Sequence, residues 1–133
     1  MHVHGKCHCG AISYDAEVTP GTVGICHCSD CQAFSGAPYR AMIRPDPASF
    51  QLSGTPKHYT KTADSGRQRI QGFCESCGSH IYAIDPDGGR LALRIGAIDE
   101  RHGLGAPVRQ IWCDSALDWA LDLTAIPRTA RQA

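Results

Sequence analysis

The chain has 133 residues, with 13 Lys plus Arg against 13 Asp plus Glu and a formal charge of zero; that suits one hydrophobic core and leaves no room for a second catalytic lobe. A hydrophobic content of 42% with 20% charged residues excludes wholesale disorder, and balanced charge with 7% aromatic residues argues against a nucleic-acid partner, because basic grooves and stacking platforms are both scarce. No apolar run approaches the roughly 20 residues that span a bilayer, and Met1-His2-Val3-His4-Gly5-Lys6 lacks the apolar core of a signal peptide, so the expected setting is cytoplasmic, with no membrane partner.

In chain order, His2 and His4 read as an N-terminal tail ahead of a first cysteine pair, Cys7-His8-Cys9. Residues 11 to 18 then alternate, with Ile12, Tyr14, Ala16 and Val18 on one face and Ser13, Asp15 and Glu17 on the other, the pattern of a half-buried strand. Cys26-His27-Cys28-Ser29-Asp30-Cys31 follows, and alternation resumes at Tyr39, Ala41 and Ile43. Turn-forming runs at Ser53-Gly54-Thr55-Pro56 and Asp64-Ser65-Gly66 precede a third group, Cys74-Glu75-Ser76-Cys77. Beyond it, Ile81 to Ile84 reads as a strand and Asp85-Pro86-Asp87-Gly88-Gly89 as a turn. Leu91, Leu93 and Ile95 alternate with Arg90 and Arg94 on the opposite, solvated face. Ile111-Trp112 adds a last strand, in which Cys113 packs as a small apolar side chain. The best helix candidate is short, Ser115 to Leu121, with Ser115 as N-cap. The segment from Thr124 to Ala133 is small, polar and unpatterned. The expected organisation is therefore one mainly antiparallel β domain over 1–123, followed by a mobile C-terminal tail over 124–133.

Eight cysteines without an export signal point to metal rather than disulfides, because reducing compartments keep thiols free. Cys7, Cys9, Cys74 and Cys77 supply the four ligands of a closed tetrahedral zinc, which would tie the N-terminal strand to the middle of the chain. Cys26, Cys28 and Cys31 supply three, the pattern of a catalytic zinc with one open position. Two zinc ions with seven thiolates shift the formal charge by about −3, which weakens nucleic-acid binding further. The competing reading makes both zincs structural, with His27 or a distant residue closing the second; His27 and His8, flanked by ligands, point more naturally away from the metal. In that case the protein is a non-catalytic binding or scaffold module.

The ordered groups Gly5-Lys6-Cys7-His8-Cys9-Gly10-Ala11-Ile12, Cys26-His27-Cys28-Ser29-Asp30-Cys31 leading to Ser35-Gly36, and Phe73-Cys74-Glu75-Ser76-Cys77-Gly78-Ser79 resemble the glutathione-dependent formaldehyde-activating enzyme family, which includes centromere protein V. Arg94-Ile95-Gly96-Ala97-Ile98-Asp99, Pro107, Ile111-Trp112, Ser115 and Trp119 match its later motifs, so the resemblance spans about residue 5 to residue 119. It implies a β-rich fold like that of the Mss4-like zinc proteins. It also implies a structural zinc on the first and last pairs, a catalytic zinc on the middle triplet, and a carbon-sulfur lyase acting on thiol adducts such as S-(hydroxymethyl)glutathione. Gln32 follows Cys31 where the family often carries Arg, which removes one contact to an anionic substrate.

A three-cysteine zinc suits thiol chemistry better than hydrolysis: three thiolates already donate strongly to the metal, and a thiol in the fourth position is held as the reactive thiolate. A small-molecule thiol is accordingly the expected partner, and the resemblance implies glutathione. Ser35, Tyr39, Asp99 and His27 are the candidates for handling the proton.

Overall fold

The computed structural model describes residues 1–132; Ala133, the end of the expected tail, lies outside them. Within these residues the turn-rich sequence forms ten short strands and one α-helix, a mainly β fold. β1 (His2–Lys6), β2 (Ser13–Glu17) and β5 (Gln51–Ser53) make a three-stranded antiparallel sheet in the order β1-β2-β5. β3 (Gly24–Cys26), β4 (Arg40–Ile43), β6 (Lys57–Thr62), β7 (Gln68–Phe73), β8 (His80–Ile84), β9 (Ala92–Arg94) and β10 (Arg109–Ile111) make a seven-stranded sheet in the order β10-β3-β4-β9-β8-β7-β6. Every pairing is antiparallel except β10 beside β3.

The alternation over 11 to 18 acts as expected. Ile12, Tyr14, Ala16 and Val18 are buried, and they meet Ile43, Ile81 and Leu93 from the large sheet and Ile98 and Leu104 from the loops in one core. Two strands depart from alternation. β9 lies between β4 and β8 and is buried along its whole length: Leu93 faces the core, and Arg94, on the opposite side, bonds Gln71 rather than reaching solvent. In β4 the buried residues are Arg40 and Ile43, while Ala41 and Met42 are intermediate.

The helix is not at Ser115 to Leu121. That region holds two 3-10 turns, Cys113–Ser115 and Asp118–Leu121, separated by extended backbone at Ala116 and Leu117. The α-helix is α1 (Ser29–Ser35), directly after the middle cysteine cluster. His2 and His4 are not a tail but alternate residues of β1: the His2 ring bonds Glu17 at 2.6 Å and the His4 ring bonds Glu100 at 2.7 Å. No helix among the described residues is long and apolar enough to cross a membrane.

Candidate functional site

Two knuckles build the first cysteine group. After Cys9 and after Cys77 the chain reverses through a glycine with positive φ, +82° at Gly10 and +75° at Gly78, a conformation that costs glycine little. The glycine N–H groups donate back to Cys7 O at 3.1 Å and Cys74 O at 2.8 Å. The reversals bring Cys7, Cys9, Cys74 and Cys77 together with their sulfurs within 4.8 Å of one another. Cys7 and Cys9 follow β1, whereas Cys74 and Cys77 follow β7, so this group joins the two sheets.

The second group is made where a strand passes into a helix. Cys26 ends β3, Cys28 caps α1 by accepting the Cys31 N–H at 3.3 Å, and Cys31 points inward from the first turn. Their sulfurs also lie within 4.8 Å of one another, and no fourth His, Cys, Asp or Glu among the described residues joins them. Burial raises the Cys26 and Cys31 thiols, so a metal bound there must displace protons. Each cluster is an all-sulfur donor set of the kind that selects a soft or borderline ion, four in one case and three in the other, and both are compatible with zinc.

Residues around the triplet have definite tasks. His27 is buried, but its Nε2 pairs with Gln110 Oε1 at 2.7 Å, and its backbone N–H donates to Ile111 O. It therefore ties the triplet to β10. Gln32 Nε2 donates to His27 O at 2.7 Å and Ser115 O at 3.0 Å, so the residue after Cys31 locks the same loop. His8 is exposed.

Cys28 and Cys31 open onto a cavity of about 280 Å³. Its walls carry six cations, Arg40, Arg44, Lys61, Arg69, Arg90 and Arg94, with Asp30 as the sole carboxylate. Trp112, 65% exposed and held in the left-handed region at φ +60°, stands at its wall with Ile111. Sequence reading placed Arg94 in solvent; it is 6% exposed, and burial followed by the like charge of Arg40 brings its guanidinium down to about 9. Arg40, 8% exposed, was not singled out at all. The available signal was an arginine inside each of two short apolar strands.

The proton-handling candidates separate. Ser35 and Tyr39 line an adjoining cavity of about 360 Å³ that shares Phe34, Arg40 and Arg94 with the first. Asp99 lines another, with His4 and Tyr14. Ser35 Oγ donates to Cys31 O at 2.7 Å, so its hydrogen is committed to the helix backbone. His80, which sequence reading passed over, lines the cavity with Ser35 and Tyr39; burial, then Arg94 and Arg40, lower its pKa. Cys113 is exposed at the start of a 3-10 turn rather than buried in a strand, because β10 ends at Ile111 and Trp112 turns the chain outward.

No curated protein matches the chain in sequence. In fold it is similar to a Rhodobacter sphaeroides protein solved by the Northeast Structural Genomics effort, with a TM-score of 0.60 at 17% identity over 80% of this chain and 98% of that one. The family model for the glutathione-dependent formaldehyde-activating enzyme matches residues 2–115, a stretch that contains all three cysteine groups and both buried arginines, and the chain belongs to that family.

Proposed function

We propose that the protein is a zinc-dependent enzyme of the carbon-sulfur lyase type, forming or cleaving small thiol adducts such as S-(hydroxymethyl)glutathione. Zinc at Cys7, Cys9, Cys74 and Cys77 is structural in this reading, and zinc at Cys26, Cys28 and Cys31 catalytic. The observation that carries it is the triplet of sulfurs with no fourth protein ligand, opening onto a cationic cavity. A zinc ion held there supplies an open position that keeps a substrate sulfur in its thiolate form at neutral pH.

The chain's own residues do the rest. Arg40 and Arg94 place positive charge beside the triplet, which favours an anionic sulfur over a neutral one. Phe34 and Trp112 contribute aromatic walls to the cavity. In the forming direction the substrate sulfur bonds to the aldehyde carbon and the aldehyde oxygen takes up a proton; in the cleaving direction the same bond breaks and the proton returns. Tyr39 is the candidate to exchange that proton: its cavity adjoins that of the triplet through Phe34, Arg40 and Arg94, whereas Asp99 lines a cavity that shares no residue with it and Ser35 is bonded to the backbone.

Metal analysis of protein purified without chelator should give two zinc equivalents per chain. The protein should accelerate adduct formation from glutathione and formaldehyde above the uncatalysed rate, and Cys31→Ser should abolish the acceleration while keeping one equivalent. A wild-type rate equal to background with both metals bound would overturn the reading in favour of a scaffold.

A further inference from the structure

Arg40 and Arg94 stand on neighbouring strands, β4 and β9, and both are more than nine-tenths buried. Two like charges at that depth are costly unless an anion meets them. The fold provides only a neutral acceptor. Gln71 Oε1, itself buried, accepts from Arg40 Nη1 and from Arg94 Nη2, each at 3.0 Å. Arg40 Nε, Arg94 Nε and Arg94 Nη1 are left without a partner.

The remaining cations of the cavity are treated differently. Lys61 pairs with Asp30 at 2.6 Å, and Arg69 and Arg90 share Asp85 at 2.9 and 2.7 Å. Among the described residues no carboxylate lies within ion-pair distance of Arg40, Arg44 or Arg94. Three thiolates with one divalent ion sum to about −1, against +3 from these arginines, so a surplus of about +2 faces a cavity that opens on the triplet. A substrate sulfur held as thiolate meets one unit of that surplus and leaves about +1 for a second anion. A carboxylate offers the planar two-oxygen acceptor that guanidinium groups recognise best.

We propose that Arg40 and Arg94 form the carboxylate subsite of this cavity, binding a carboxylate of the thiol substrate while its sulfur faces Cys26, Cys28 and Cys31; this rests on the thiol chemistry proposed above. Gln71 is the positioning residue that holds the two guanidinium groups side by side.

The test uses full-length protein reconstituted with cobalt, whose visible spectrum reports a fourth ligand at the triplet. Mercaptopropionate and mercaptopropanol have the same thiol arm and differ in the carboxylate. The wild type should respond to the acid at a concentration at least about tenfold lower than to the alcohol, as expected for a charge-assisted hydrogen bond. Arg94→Gln should lose that preference and respond to the acid and the alcohol at the same concentration. If Arg94→Gln does not fold, Arg40→Gln and the wild-type comparison decide. Equal responses to acid and alcohol in the wild type overturn the carboxylate site and leave the thiol reading standing. No response to either thiol overturns both. A folded Arg94→Gln that retains the full preference overturns the assignment to these arginines.

Discussion

Asp85 shows how a single carboxylate sets the walls of the site. Its Oδ1 accepts from Arg69 and Arg90, both at 2.9 Å, and its Oδ2 accepts from Arg90 Nε at 2.7 Å, so one residue orients two of the cavity's cations. The hydrogen bonds from Arg90 and then Arg69 hold its carboxyl well below the usual carboxylate range, against the opposing effect of burial. A depressed native pKa means the contribution is fully present above the unfolded value of about 4 and is lost as pH falls towards the native value. Asp85→Asn should therefore cost about 1 kcal/mol at neutral pH, the figure being kept low because Arg90 is 39% exposed at its side chain. Urea titrations of wild type and variant should converge below about pH 4; a constant gap down to pH 3 would contradict the ion pairing. At this scale the cysteines were legible in the sequence because metal spacing is local. Arg40 and Arg94 were not, since whether a strand's second face is wet depends on what folds over it, and both guanidinium groups meet buried Gln71 instead of solvent. Cys113 misled for a related reason: its neighbour Trp112 is apolar but turns outward.

Strand register is protected by a glycine placed under a tyrosine ring. Gly72 of β7 lies directly opposite Tyr82 of β8, and a Cβ added there would stand 2.6 Å from the ring. The Tyr82 hydroxyl pairs with His58 Nε2 at 2.8 Å, so the ring is anchored from β6 and cannot simply swing aside. Gly72→Ala should destabilise the protein by about 1 to 3 kcal/mol through overpacking, seen as a lowered melting temperature. An unchanged melt would show that the ring moves freely. Gly5 opposite Tyr14 repeats the device in the small sheet. Alternation or a short apolar run located β2, β4, β8, β9 and the end of β10, whereas β1, β3, β5, β6 and β7 were not read, and α1 could not be, because seven residues are too few to display a helical period. Its ends were marked instead by chemistry: a thiol, Cys28, accepting the first-turn N–H, and Gly36 in the left-handed region closing the last turn.

Across the whole molecule the four-cysteine group joins the two sheets, alongside their shared hydrophobic core and the Gly5–Ile98 and Val18–Pro45 bridges. If it holds zinc as proposed, Cys74→Ser should lower global stability and release one metal, whereas Cys31→Ser should release the other and leave the melting transition nearly in place. Equal loss of stability in both variants would contradict the division of roles. The tie between β10 and β3 has a separate consequence, for the order in which the protein is made. The triplet is complete once Cys31 has been synthesised, but Gln110, Ile111 and Trp112, which fasten His27 and wall the cavity, come about eighty residues later. Chains emerge from the ribosome at about 5 to 20 residues per second. For several seconds of its birth the molecule thus presents three clustered thiols with one wall missing, open to metal delivery and equally open to oxidants.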